Sequence, residues 1–192
     1  MNSPDVLTPE DIEFIEKALG RIPRGIISVS SRAPDNTPTA LKMKCVVDKT
    51  PFPTHFWLCS PLLIEKVNFL ESQRLVKPLE LLIEQSKPLA KAFLEDQKRY
   101  QQIRNNCLTD EDKAFLSGLG ILDLFTQKRG IGGIEDFTKI RCLHMQIAHL
   151  ISDDNVIGQW LQDKFNILNF SENLNEFRQR IKDDRLIETA FD

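Results

Sequence analysis

Leu41-Lys42-Met43-Lys44-Cys45 places an apolar side chain at every second position, with lysines between. Successive side chains of an extended chain point to opposite faces, so this alternation reads as a β-strand with one buried and one wet face. The strand is expected to run through Val47. Upstream, residues 25–32 carry β-branched Ile26, Ile27 and Val29 and read as another strand, joined to the first by the turn-rich Ala33-Pro34-Asp35-Asn36-Thr37-Pro38. Downstream, residues 54–59 read as a third. Pro51 and Pro53 flank Phe52. Two prolines entering a strand suit an edge position or its first residues, and the Phe52–Pro53 bond is open to either isomer. Three strands with short connections make a small antiparallel sheet.

Outside this region the apolar period becomes helical. Thr8-Pro9-Glu10-Asp11 is a helix start: a capping hydroxyl, a proline at the first position and acids at the positive end of the dipole. After Pro61, helices are expected over 62–73, 78–86 and 88–105. A short one follows the capping run Thr109-Asp110-Glu111-Asp112 and ends near Gly118 or Gly120. Beyond the flexible Gly130-Ile131-Gly132-Gly133, helices are expected over 140–151, 156–168 and 171–186. The fold class is therefore α+β, a three-stranded antiparallel sheet packed against several helices with the 140–151 helix central. Residues 1–170 are expected to form one domain, with 171–192 a charged, peripheral C-terminal helix.

At 192 residues and 41% apolar, the chain has enough material for a real core. No apolar run approaches the roughly 18 residues of a membrane-spanning helix. Met1-Asn2-Ser3-Pro4-Asp5 has neither the basic nor the apolar region of an export signal. Four widely spaced cysteines, Cys45, Cys59, Cys107 and Cys142, with no Cys-x-x-Cys pair, read as reduced thiols in the cytoplasm. A net charge of −3 argues against generic nucleic-acid binding. Arg21, Arg24, Arg32, Lys42, Lys44 and Lys49 nevertheless outnumber Asp35 and Asp48 in the strand region. Those basic residues face either an anionic ligand or plain solvent.

Chemistry gathers in Cys142-Leu143-His144-Met145-Gln146-Ile147-Ala148-His149, which holds two of the three histidines. If 139–151 is one helix, Ile140, Leu143, Ile147, Leu150 and Ile151 form a core stripe. His144 flanks that stripe, while Cys142, Met145 and His149 lie on the other side. His144 and His149 are then separated by roughly 140° around the axis, and Cys142 and His149 by about 10 Å along it, so this segment alone makes no metal motif. No metal or cofactor is assigned.

Three functional readings follow. The leading one is a binding protein for a phosphate-like or other small anion, in a pocket built from Arg24, Arg32, Arg104 and Arg141 with His144 and His149. Arginine's fork and a histidine able to gain a proton suit such ligands. The second is a small hydrolase or transferase using Cys142 as nucleophile with His144 or His149. The third is a non-catalytic protein-interaction module. His55, the remaining histidine, reads as a polar surface residue.

Several blocks carry a resemblance. These are Arg24-Gly25; Arg32 with Pro34 and Pro38; Thr50-Pro51-Phe52-Pro53-Thr54 with Phe56-Trp57-Leu58 and Pro61; Tyr100 and Arg104; Gly132-Gly133; Arg141-Cys142-Leu143-His144 with Ala148-His149; and Asn155 with Gly158. In order and spacing, over about residues 21–161, the chain resembles a bacterial family known as domain-of-unknown-function family 501. The resemblance implies a cytosolic bacterial protein of about this size with no established reaction. It also implies genes near those for cell division and exopolyphosphatase, which is association only. Relatives carry cysteines in the turn after the first strand, where this chain has Ala33 and Asp35, and just before the matched proline, where it has Ser60. Cys59 lies one place before Ser60, and these departures put in doubt any metal site built on those cysteines. Cys142, His144 and His149 are retained.

Overall fold

The computed structural model describes residues 7–191. Residues 1–6, on which the expectation of no export signal rests, lie outside the described residues, as does residue 192. Helix α1 (Pro9–Leu19) opens with the expected capping box, Thr8 and Asp11 each accepting the other's backbone N–H. Strands β1 (Ile26–Arg32), β2 (Pro38–Met43) and, after an interruption, β5 (Phe56–Leu58) form one antiparallel sheet in the order β1-β2-β5. Three register shifts interrupt the β1–β2 ladder, two with the extra residue on the outer strand β1 and the third with it on β2.

The alternating stretch does not continue to Val47. The chain leaves β2 after Met43, and β3 (Val46–Val47) pairs instead with β4 (Thr50–Pro51) in a separate tight hairpin. Asp48 and Lys49 both take positive φ, 49° and 58°, the backbone of a turn whose twist matches a two-residue hairpin. The wet face is a second correction. Lys42 and Ala40 pair with Phe56 and Leu58, which pack onto the helices, while Leu41 and Met43 pack with Ile15 of α1. The middle strand is covered on both sides, and Lys42 is half-buried.

The helical half comprises α2 (Pro61–Ser72), α3 (Val76–Gln85), α4 (Lys87–Asn105), α5 (Asp110–Gly118), α6 (Leu143–Ser152), α7 (Val156–Phe165), α8 (Leu174–Asp183) and α9 (Leu186–Thr189). The main core joins β5 to α2, α3, α4, α6, α7 and α8. Helix α6 is the central one: it lies against all three strands of the sheet and against α2 and α7. Gly158 makes the α6–α7 approach possible, since a Cβ there would stand 2.7 Å from the Gln146 carbonyl oxygen and 2.6 Å from Leu150 Cβ. Helix α8 contributes fully buried Phe177 and Ile181 to the same core. No helix among the described residues is long and apolar enough to cross a membrane.

Candidate functional site

Helix α6 begins three residues later than its apolar pattern suggests, and carboxylates from two other helices take one amide ahead of it and the amide of its first residue. Glu80 of α3 accepts the Ile140 N–H at 3.1 Å, and Glu71 of α2 accepts the Leu143 N–H at 2.6 Å. Lys139 adds an ion pair to Glu84 at 2.8 Å. Between these anchors Cys142 is extended, with φ −164° and ψ 160°, and sits at the N-cap with no capping bond from its own side chain. Its thiol is therefore not where helical rotation would put it. The expectation that Cys142 and His144 lie on opposite faces fails for this reason. Cys142 Sγ, a His144 ring nitrogen and a Glu71 carboxylate oxygen lie within 4.8 Å of one another, and His144 Nδ1 is 3.4 Å from Glu71 Oε1.

All three residues are half-buried. Burial opposes a charge on His144, but hydrogen bonding to Cys142 and Glu71 outweighs it and raises the imidazole to about 9. Glu71 is pulled below the ordinary carboxylate range: burial pushes its proton affinity up, and hydrogen bonds from His144 and the Leu143 amide more than reverse this. Cys142 and His144 open on a cavity of about 380 Å³ whose other walls are apolar apart from Thr54, among them Leu19, Phe52, Trp57, Ile64 and Met145. Phe52 and Trp57 stack there at 5.7 Å between ring centroids. The Pro-Phe-Pro segment that supplies Phe52 is fixed from two sides. The Tyr100 hydroxyl accepts the His55 N–H at 2.6 Å and donates to the Pro53 carbonyl at 3.4 Å. Gly133, at φ 76°, packs so close that a Cβ would come within 2.7 Å of Pro53 Cγ. The Phe52–Pro53 bond is trans.

The other expected site residues go elsewhere. His149 is fully buried, stacked on Phe56 at 5.8 Å and edge-on to Tyr100 at 5.1 Å. Its Nδ1 accepts from the Asn155 amide at 3.1 Å, which leaves the proton on Nε2, facing Asp153 at 3.5 Å. His55 is buried rather than on the surface, its Nε2 3.6 Å from Cys107 Sγ. Burial drives both imidazoles down to about 4.

The four arginines do not converge. Arg24 pairs with Asp48 at an exposed groove, and Arg32 grips Asp11 through both terminal nitrogens at 2.8 and 2.9 Å. Arg104 is wholly buried, donating to the Phe125 carbonyl at 2.6 Å and lying over the Phe125 ring. Arg141 is exposed on a third groove beside Gly132, Gly133 and Arg129. Glu71 is the functional candidate that sequence reasoning missed. It sits on an otherwise ordinary amphipathic helix, and no local spacing relates it to His144.

The protein is thus an α+β scaffold with a half-buried cysteine and histidine on the wall of an apolar cavity and a glutamate beside them. The chain belongs to the family described as Protein of unknown function (DUF501), whose model matches residues 29–163, from β1 through most of α7. No curated protein and no solved structure matches the chain.

Proposed function

We propose that the protein is a thiol-dependent hydrolase or transferase acting on a substrate with an apolar acyl portion. The observation that carries this reading is the meeting of Cys142 and His144 on the cavity wall, with Glu71 beside the imidazole. The apolar part of the substrate rests against Phe52, Trp57 and Met145 with its carbonyl at Cys142. The sulfur attacks that carbon, a thioester forms, and the departing group takes a proton from His144. Water or an acceptor then attacks the thioester, returning a proton to His144, and the Cys142 sulfur departs as the thiolate that began the cycle. Glu71 orients the imidazole and favours its charged form. All four cysteines are free, which suits the reducing cytoplasm that such a thiol requires.

The anion-binding reading has less support, since Arg24, Arg32 and Arg141 open on separate grooves and Arg104 on none. The test is acylation by the p-nitrophenyl ester of a medium-chain fatty acid, followed by intact mass and peptide mapping. One acyl group is expected on Cys142. Its rate should fall by about 10²-fold or more in His144→Asn and stay unchanged in Cys107→Ala. If Cys142 acylates no faster than Cys107, the other half-buried thiol, the proposal is wrong.

A further inference from the structure

The Glu71, Cys142 and His144 donors are also a metal-ligand set, and we propose that they bind Zn²⁺ or a chemically similar divalent ion, with the fourth coordination position facing the apolar cavity. Occupancy silences the Cys142 thiol; this last clause alone rests on the reading just given.

The donor types come first. A thiolate, an imidazole and a carboxylate together suit a borderline-soft ion, whereas Mg²⁺ and Ca²⁺ prefer oxygen throughout. Geometry comes next. Zinc bonds of about 2.0–2.3 Å in a tetrahedral arrangement set neighbouring donors about 3.3–3.8 Å apart. His144 Nδ1 and Glu71 Oε1 already stand at 3.4 Å, and all three donor atoms fall within 4.8 Å. The imidazole and carboxylate therefore already stand at a separation that an intervening ion can bridge in place of their direct contact. Side-chain rotation at Cys142 closes the remainder.

The ligands are also well supported. Glu71 belongs to α2, and Cys142 and His144 to the start of α6, so two independently packed helices fix the two sides of the site. The Leu143 N–H donates to Glu71 Oε1 at 2.6 Å, orienting the carboxylate while leaving that oxygen a second lone pair. Among the described residues, this is the one group of three histidine, cysteine or acidic side chains drawn so close. Its three protein ligands with one open position are the pattern of zinc sites that exchange water or substrate.

The experiment titrates metal-stripped protein with Zn²⁺ against a chromophoric chelator and, separately, with Co²⁺ followed by absorbance. One equivalent of Zn²⁺ is expected to bind. Affinity should fall more than about tenfold in Cys142→Ser and in His144→Gln, and should be unaltered in Cys107→Ser. Because a substitution can disturb the start of α6, Co²⁺ on the unaltered protein provides the second measure. A thiolate-to-metal charge-transfer band must appear there. Substoichiometric uptake, a Co²⁺ spectrum without that band, or uptake indifferent to Cys142→Ser would each overturn the site. Iodoacetamide alkylation of Cys142 with and without Zn²⁺ separates the two proposals. Protection by Zn²⁺ supports silencing, and no protection overturns it. A metal-free thiol no more reactive than Cys107, in protein that still binds Zn²⁺, removes the thiol reading and leaves the metal site standing.

Discussion

His149 is held between the Phe56 and Tyr100 rings, with the Asn155 amide donating to its Nδ1. Burial there disfavours a charged imidazole. Protonation of His149, and of His55 beside Cys107, is held down to about 4 in the folded chain, against about 6.5 when unfolded. The unfolded state therefore takes up these protons first. Their contribution is complete above about pH 6.5, falls by about 1.4 kcal/mol per pH unit and residue between 6.5 and 4, and is flat below. Urea titrations across that window should show this slope, reduced by about one proton in His149→Gln. An unchanged slope in that variant would show that His149 does not titrate between the two limits. Asp11 acts lower in pH. Arg32 holds its carboxyl near 2, so its stabilising pairing is present above about 3.8 and disappears as the pH drops towards 2. None of this was visible at the residue level in sequence. A histidine beside Phe56 and Trp57 has the same letters whether it lies under α4 or in water.

At the scale of elements, what local pattern decides was legible and what distant partners decide was not. β1, β2 and β5 followed from β-branched runs and period-two alternation, and α1 and α5 from their capping boxes. The start of α6 did not follow. It depends on Glu80 and Glu71, which lie 60 and 72 residues from the amides they accept. The same long-range anchoring brings Cys142 round to His144, so the candidate site was half legible: two side chains in one segment, the third without a signal. Helices α6 and α7 offer a direct test of how tightly the elements are set. Gly158→Ala would press its methyl onto the Gln146 carbonyl, a backbone atom that cannot swing aside. The substitution should cost about 2 kcal/mol or more, against the slight gain that alanine normally brings inside a helix. A guanidinium melt is the measurement, and a neutral or stabilising result would mean that the two helices can part.

Considered whole, the molecule draws its last helices into the same core that seats the site. Residues 171–192 read as charged because the outward positions dominate the composition, yet Phe177 is fully buried and meets the Phe69 ring edge-on at 6.1 Å. Buried Lys66 of α2 reaches across to the Asn169 carbonyl at 2.7 Å and to Glu172 at 3.7 Å, tying the approach to α8 onto the helix that carries Glu71. Phe177→Ala should therefore cost about 3–5 kcal/mol, as a central core residue does, with the loss read from chemical unfolding. A cost under about 1 kcal/mol would mean that the C-terminal helices are dispensable to the fold.

The broken ladder of β1 has a consequence beyond this chain. An outer strand with regularly spaced free amides and carbonyls is a template on which another molecule's strand can dock. Here two of the register shifts insert an extra residue into β1 itself, between Ile26 and Ser28 and between Val29 and Ser31, and break the even row of such groups. The sheet is closed to growth along that side, and a crowded population of these molecules is denied one common route into fibrils.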